Sequence, residues 1–284
     1  MQREEAKDTA MPFIELKSGI SLYYEEQGRG EPLILISGAG ADHTAWILQV
    51  PELSKRQRVI TFDARGVGRS TCPDSDEMYT PALMAQDVLD MMDGLSIRRA
   101  HLLGQSLGSA VAQEVALAES GRVMSLQLVV TWATSDMRIK QICNNMRILL
   151  SRASLRDYYF FCYAIAFSPA LLDRQPQFLE SYYDLAVNES GAEPSLKGLM
   201  GHWHAVGRHD ASDRLGALNL PVMVISGEGD ILVHRDYGRK VADLIPGAFF
   251  HCFGGPCSSH LLHIEMAPLF NSLSLDFLGS ISGR

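Results

Sequence analysis

Residues 100–110 read AHLLGQSLGSA, and the fold turns on how this stretch is understood. Ala100 to Leu103 is an apolar run that stops at Gly104-Gln105-Ser106-Leu107-Gly108, after which Ser109-Ala110-Val111-Ala112 restarts with small side chains. A serine between a strand and a helix commonly caps the helix. Two flanking glycines ask for more than a cap. So tight a turn presses the positions beside the serine against neighbouring backbone, where a Cβ collides and glycine fits. Ser106 is then left at the C-terminal edge of a strand and at a helix N-terminus, where the macrodipole and the Leu107 N–H favour negative charge. Gly-x-Ser-x-Gly in this setting is the nucleophile-elbow pattern.

Working outward, the same alternation continues on both sides. FIELKSG and ISLYYEEQG (from Phe13 and Ile20) alternate like an antiparallel pair joined at Lys17-Ser18-Gly19. PLILISGAG (from Pro32), RVITFDARGVGRS (from Arg58) and PVMVISGEGD (from Pro221) are apolar runs ending in turns, as buried strands do, and VMSLQLVVTW (from Val123) and AFFHCFG (from Ala248) read as two more strands. Helical spacing fills the gaps, for example TPALMAQDVLDMMDGL with Thr80 as N-cap and Pro81 in the first turn. TAWILQVPELSKRQ has mixed helical spacing with a proline in mid-run. Strand–helix alternation predicts an α/β protein with a mostly parallel eight-stranded sheet flanked by helices. The stretch 135–215 breaks the rhythm: it is rich in Met, Tyr, Phe and Trp, helical in period and free of strand-like runs. It reads as a helical lid inserted after the sixth strand, on a core domain made of residues 1–134 and 216–284.

A serine hydroxyl needs a base to attack at neutral pH. With an elbow nucleophile the acid and then the histidine follow in chain order. FGGPCSSHLLHIEMAP supplies His260, after a loop of small residues and before the last helix, with His263 and His251 as rivals. VMVISGEGDILV supplies Asp230 just past a buried strand on the same sheet edge, with Glu228 and Asp136 as rivals and a plain turn-capping Asp as the bland reading. The oxyanion of such a reaction needs two N–H donors, each worth roughly 3–4 kcal/mol in the transition state. Leu107 offers one, and the glycine-rich turn Ser37-Gly38-Ala39-Gly40 offers the Ala39 N–H as the second.

Together these residues resemble the α/β-hydrolase fold superfamily over nearly the whole chain outside 135–215. The family's histidine at the oxyanion turn is Ser37 here, Trp46 holds the usual later aromatic position, DARGVGRS (Asp63–Ser70) matches a structural turn, and GEGDILVH matches the acid loop. SHLLHIEMAPLFN resembles the family's Gly-His-x-x-His-x-Glu tail with Ser259 in place of glycine. That register implies His260 as the catalytic base and His263 with Glu265 as a structural pair. The pattern is most similar to small esterases and enol-lactonases with a helical cap.

The resemblance implies a serine hydrolase cleaving an ester, lactone or thioester of a small, largely apolar molecule through Ser106, His260 and Asp230, with no cofactor and no metal. Gly38, Trp132, Tyr158, Phe161, Met200 and Trp203 are candidate pocket residues, although any one of these aromatics is as readily a packing residue. The same triad also serves cofactor-independent carbon–carbon hydrolysis of a diketone, and a non-catalytic ligand receptor is a rival of another class. A dehalogenase or epoxide hydrolase needs a carboxylate where Ser106 stands.

Bulk properties fit. The 284 residues are 46% apolar and carry a net charge of −8 without a Lys/Arg-rich block, which argues against nucleic acid and membrane partners. No run approaches the roughly 18 apolar residues of a membrane span. MQREEAKDTA at the N-terminus lacks the apolar stretch of a secretory signal, so a cytoplasmic protein is expected. The five cysteines are scattered, with no metal-like spacing, and His202 and His204 are two apart and so off a common helix face. Oligomeric state, including a homodimer, is left open.

Overall fold

The computed structural model describes residues 13–188 and 191–281; the polar N-terminal segment Met1–Ala10 on which the cytoplasmic expectation rests lies outside them. Eight strands join in one sheet: β1 (Phe13–Glu15), β2 (Ser21–Gln27), β3 (Pro32–Ile36), β4 (Arg58–Phe62), β5 (Ala100–Gln105), β6 (Val123–Val129), β7 (Val222–Gly227) and β8 (Phe249–Phe253). Their order is β1-β2-β4-β3-β5-β6-β7-β8, antiparallel at β1–β2 and β2–β4 and parallel elsewhere.

The apolar runs of β3 to β7 are strands because both of their faces are covered, whereas β8, at the sheet edge, is only partly buried. Successive side chains of β3 point to opposite sides. Leu33 and Leu35 join Trp46, Leu103, Ile225 and Phe270 on one side, while Ile34 and Ile36 join Leu102, Val111, Leu126 and Val224 on the other. The helices that cover them are α1 (Val50–Leu53) and α11 (Ala267–Ile281) on the first face, and α2 (Pro81–Gly94), α3 (Leu107–Ala118) and α9 (Arg235–Leu244) on the second. Thr80 caps α2 by accepting the Leu83 N–H at 3.2 Å, and Pro81 sits in its first turn as expected. The segment with the mid-run proline forms only short turns, at His43–Trp46 and α1.

Between β6 and β7 the chain runs through α4 (Met137–Arg152), α5 (Leu155–Ala166), α6 (Pro169–Arg174), α7 (Phe178–Tyr183) and α8 (Leu196–Arg208), with no strand among the described residues there. It leaves and returns at one neck, where Thr134 and Asp210 form an isolated bridge and Ala211 N–H donates to the Ala133 carbonyl at 2.8 Å. Met146, Tyr158, Tyr159, Tyr163, Phe167 and Leu199 form a third apolar cluster inside this helical excursion. The last helix of the excursion is seated tightly on the core. A Cβ at Gly198 would fall 1.6 Å from the Gly66 carbonyl oxygen, so backbone meets backbone there. A final turn, α10 (Leu262–Glu265), precedes α11.

Candidate active site

β5 delivers Ser106 and α3 begins immediately after it. Ser106 has φ 52° and ψ −119°, a left-handed conformation that costs a side-chain-bearing residue about 1–3 kcal/mol. The flanking glycines are explained by contacts: a Cβ at Gly104 would lie 2.2 Å from the Gly108 carbonyl oxygen, and one at Gly108 would lie 2.0 Å from that of Ile36. Strain of this kind persists only where its surroundings enforce it, and here it holds the hydroxyl off the end of the sheet.

His260 comes from the loop after β8. Its Nε2 lies 3.1 Å from Ser106 Oγ, and its Nδ1 lies 2.8 Å from Asp230 Oδ2. Asp230 is 1% exposed, and its other oxygen accepts the N–H groups of Leu232 (2.8 Å) and Val233 (2.9 Å). The carboxylate is thereby fixed with one oxygen free for the imidazole. The rivals are engaged elsewhere. His263 is buried against Trp46, and burial pushes its imidazole down to about 3. His251 lies on β8 beside Phe253. Asp136 caps α4 through the Ile139 N–H and accepts the Tyr237 hydroxyl, and Glu228 pairs with Arg235.

The turn after β3 lies against the nucleophile: a Cβ at Gly38 would lie 3.4 Å from Ser106 Cβ. Ser37, where the family has histidine, closes this loop by donating its hydroxyl to the Asp42 carbonyl at 2.9 Å. Ala41 N–H donates to the Gly38 carbonyl at 3.2 Å, and Gly40 has φ +75° while Ala39 does not have positive φ, which makes residues 38–41 a type II turn. Among the described residues no acceptor takes the N–H of Ala39 or of Leu107. Leu107 is wholly buried, and an unpaired buried N–H is rare enough to need a reason.

Ser106, His260, Gly38 and Ala39 open into a cavity of about 130 Å³ that is roofed by the helical excursion through Tyr158, Tyr159, Cys162, Tyr163, Tyr182 and Trp203. A smaller compartment of about 40 Å³ shares Ser106, His260, Trp203 and Leu232, and its other lining residues include Trp132, Ile139, Cys143 and Val206. Of the candidate pocket residues, Gly38, Tyr158, Trp203 and Trp132 line one or both of these compartments. Phe161 and Met200 line neither. Phe161 is 48% exposed because α5 turns 100° per residue, and the face holding Tyr158, Tyr159, Cys162 and Tyr163 is turned away from it. Met200 packs among the aromatic side chains of the excursion and lines neither compartment. The i, i+4 repeat of that α5 face was the signal for Tyr159, Cys162 and Tyr163. The Cys162 thiol is pushed up to about 12 by burial, which leaves it protonated and unreactive.

Asp42, His43 and Asp63 are the one group with metal-ligand spacing among the described residues. Their atoms are committed to the loop: Asp63 accepts the His43 N–H and the Arg69 N–H, and Asp42 accepts the N–H and hydroxyl of Thr44.

The alpha/beta hydrolase fold family model matches residues 31–267. A protein named "Putative carbamate hydrolase RutD" from Variovorax paradoxus is 31% identical over 92% of this chain and 97% of its own length. The enol-lactonase of Burkholderia xenovorans LB400 superposes with a TM-score of 0.85 at 25% identity, covering 94% of this chain and all of that one. A hydrolase from Pseudomonas aeruginosa PA01 superposes with a TM-score of 0.85 at 29% identity over 97% of this chain and all of its own. The chain belongs to the alpha/beta hydrolase fold family and is a hydrolase of that fold.

Proposed function

We propose that the protein hydrolyses a carboxylic ester or lactone of a small, largely apolar molecule through an acyl-enzyme on Ser106. The observation that carries this is the unbroken relay from Ser106 Oγ through His260 to Asp230, opening into a mainly apolar cavity. His260 Nε2 takes the Ser106 proton as Oγ attacks the carbonyl carbon. Asp230 holds the Nδ1–H tautomer and stabilises the imidazolium. The N–H groups of Ala39 and Leu107 receive the oxyanion. Collapse of the tetrahedral adduct expels the alkoxide, which leaves with the His260 proton. Water then gives a proton to His260 as it attacks the acyl group, and Ser106 recovers that proton when the acid departs.

Two compartments on either side of Trp203 suit a substrate with one larger arm and one short apolar arm. Residues 135–215 act as a cap in this reading, hinged at the Thr134–Asp210 neck. The substrate is a small molecule. Five free thiols support a cytoplasmic setting, and no helix among the described residues is long and apolar enough to cross a membrane. The name of the Variovorax relative favours a second substrate class, a carbamate, whose carbamoyl group would pass through the same steps.

Wild type and Ser106→Ala are compared on nitrophenyl esters of increasing acyl length, an aliphatic lactone and a nitrophenyl carbamate. Turnover of one class that is abolished in Ser106→Ala is the expected result. Equal turnover in both proteins overturns the mechanism. Inactivity on all three, with turnover of a vinylogous diketone instead, moves the reaction to carbon–carbon cleavage.

A further inference from the structure

His202 has no part in the relay just described, and it is one of the most deeply buried polar side chains of the helical excursion, at 1% exposure. It sits on the inward face of α8 with both ring nitrogens engaged. Nδ1 accepts the Gly40 N–H at 3.0 Å, and Nε2 lies 2.8 Å from the Arg65 carbonyl oxygen. A carbonyl can only accept and an N–H can only donate, so the ring is the neutral Nε2–H tautomer. Arg65 is itself immobilised: its guanidinium makes two bonds of 2.6 Å to Asp87 of α2 and a third to the Met78 carbonyl. The turn that would supply the second oxyanion donor is thus tied, through one imidazole, to the backbone of a residue whose side chain is held in a buried ion pair.

The bond to Gly40 falls on the peptide that decides the turn type. Types I and II differ by a half-rotation of the central peptide, here Ala39–Gly40, and a glycine at the third position makes that rotation cheap. With Nδ1 as acceptor, only the type II orientation presents the Gly40 N–H. The rotated turn would aim the Ala39 carbonyl at the imidazole lone pair. A second contact from the same helix helps: a Cβ at Gly40 would lie 2.7 Å from Leu199 Cδ2.

Resting on the serine-hydrolase reading above, we infer that His202 is a positioning residue, which from the cap helix ties down the 38–41 turn at its Gly40 N–H and so keeps the Ala39 N–H, on the preceding peptide, in place for the oxyanion. The helical excursion thereby does more than roof the cavity: its last helix completes the catalytic turn. Burial keeps the imidazole near pKa 4 and so neutral at working pH, as its dual role requires.

An asparagine carboxamide oxygen falls where Nδ1 lies, and a glutamine carboxamide nitrogen reaches where Nε2 lies. His202→Asn therefore retains the acceptor for Gly40 and loses the bond to Arg65, whereas His202→Gln does the reverse. Steady-state kinetics on the ester turned over best, affinity for a boronic acid that forms a tetrahedral adduct, and thermal midpoints are measured for both variants and His202→Leu, beside Ser106→Ala. The expected order in kcat is wild type, then Asn, then Gln and Leu together. The last two should fall by about 10- to 100-fold with KM within about threefold, because an oxyanion contact acts only after attack. Boronate affinity should fall in parallel. Asn and Gln equally active, or kcat following thermal midpoint alone, overturns the assignment to Gly40. If His202→Leu does not fold, the Asn–Gln pair decides. Retained activity in Ser106→Ala would instead bring down the underlying reading, whatever the His202 variants do.

Discussion

Ser259 and Glu265 are joined by a hydrogen bond across the turn that carries His260: the Ser259 hydroxyl donates to Glu265 Oε1, and the same hydroxyl accepts the Leu261 N–H at 3.1 Å. Glu265 also accepts from Ser168, the N-cap of α6, through the backbone N–H at 2.9 Å and the hydroxyl. One carboxylate therefore ties the histidine loop to the helical excursion. Glycine in place of Ser259, as in the related tail pattern, could make no such tie.

Glu265→Ala should cost about 1–3 kcal/mol of stability, since it strands several donors at once. It should also lower kcat/KM, because both the histidine loop and the roof lose a shared anchor. Ser259→Ala and Ser168→Ala should each cost less. Because both act through Glu265, a double-mutant cycle in urea denaturation should give a coupling of about 0.5 kcal/mol or more. Strict additivity would mean that the two serines are braced independently.

Asp230→Asn should leave the fold intact, because the amide oxygen can still accept from Leu232 and Val233. Its nitrogen would donate to His260 Nδ1 and force the other tautomer, leaving Nε2 protonated and unable to take the Ser106 proton. A loss in kcat of about 10⁴-fold is expected, with an unchanged urea midpoint within about 1 kcal/mol. Activity close to wild type would remove Asp230 from the relay.

Gly108→Val and Gly104→Val should destabilise by about 3 kcal/mol or more and abolish turnover together, since each adds atoms where a Cβ alone already meets backbone at 2.0–2.2 Å. Thermal midpoints and ester turnover on the same preparations check this. A stable, active Gly108→Val protein would show that the elbow does not require glycine at this position.

The sheet and the relay were legible because each rests on a local rule: runs buried on both faces read as strands, and the elbow glycines, the acid past β7 and the histidine past β8 sit at fixed places in the chain. The roof was legible only in part. Phe161 and Met200 carry the same composition signal as Tyr158 and Trp203, and only the helical phase of α5 and α8 separates the sides. His202 was hidden altogether, because its two partners, Gly40 and Arg65, are 162 and 137 residues away and both are backbone atoms. No side-chain pattern announces a bond to a peptide group. Ser259 read as a simple departure from glycine until the Glu265 carboxylate, six residues on, was brought beside it.

Trp203→Ala should merge the two compartments and free the Tyr158 hydroxyl, which now accepts the indole N–H at 2.6 Å. The ratio of kcat/KM for a long over a short acyl chain should rise by about tenfold, in line with 1–3 kcal/mol per methylene accommodated. Trp203→Phe should keep the wall and most of the original preference. An unchanged chain-length profile in the alanine variant would mean that the smaller compartment holds no part of the substrate.

Acid should unfold this protein steeply, and the sign follows from its buried histidines. Burial lowers His202 and His209 to about 4 and His263 to about 3, whereas each titrates near 6.5 when unfolded. Between those values the unfolded chain binds more protons than the native one, so the stability tied to these three histidines is complete above pH 6.5 and falls as pH drops. Each histidine contributes about 1.4 kcal/mol per pH unit, so the three together give about 4 kcal/mol per unit. Asp42 and Asp87, raised by burial, oppose this only toward the carboxylate range. His43 is lowered by burial but raised overall by its bond to Asp63, so it acts above pH 6.5 and leaves this window alone. Urea midpoints at pH 7, 6 and 5 should show the decline, and His209→Gln should flatten it by about 1.4 kcal/mol per unit whatever it does to stability at pH 7. A slope identical to that of wild type would mean that His209 is protonated in the native state, against its burial beside Trp132.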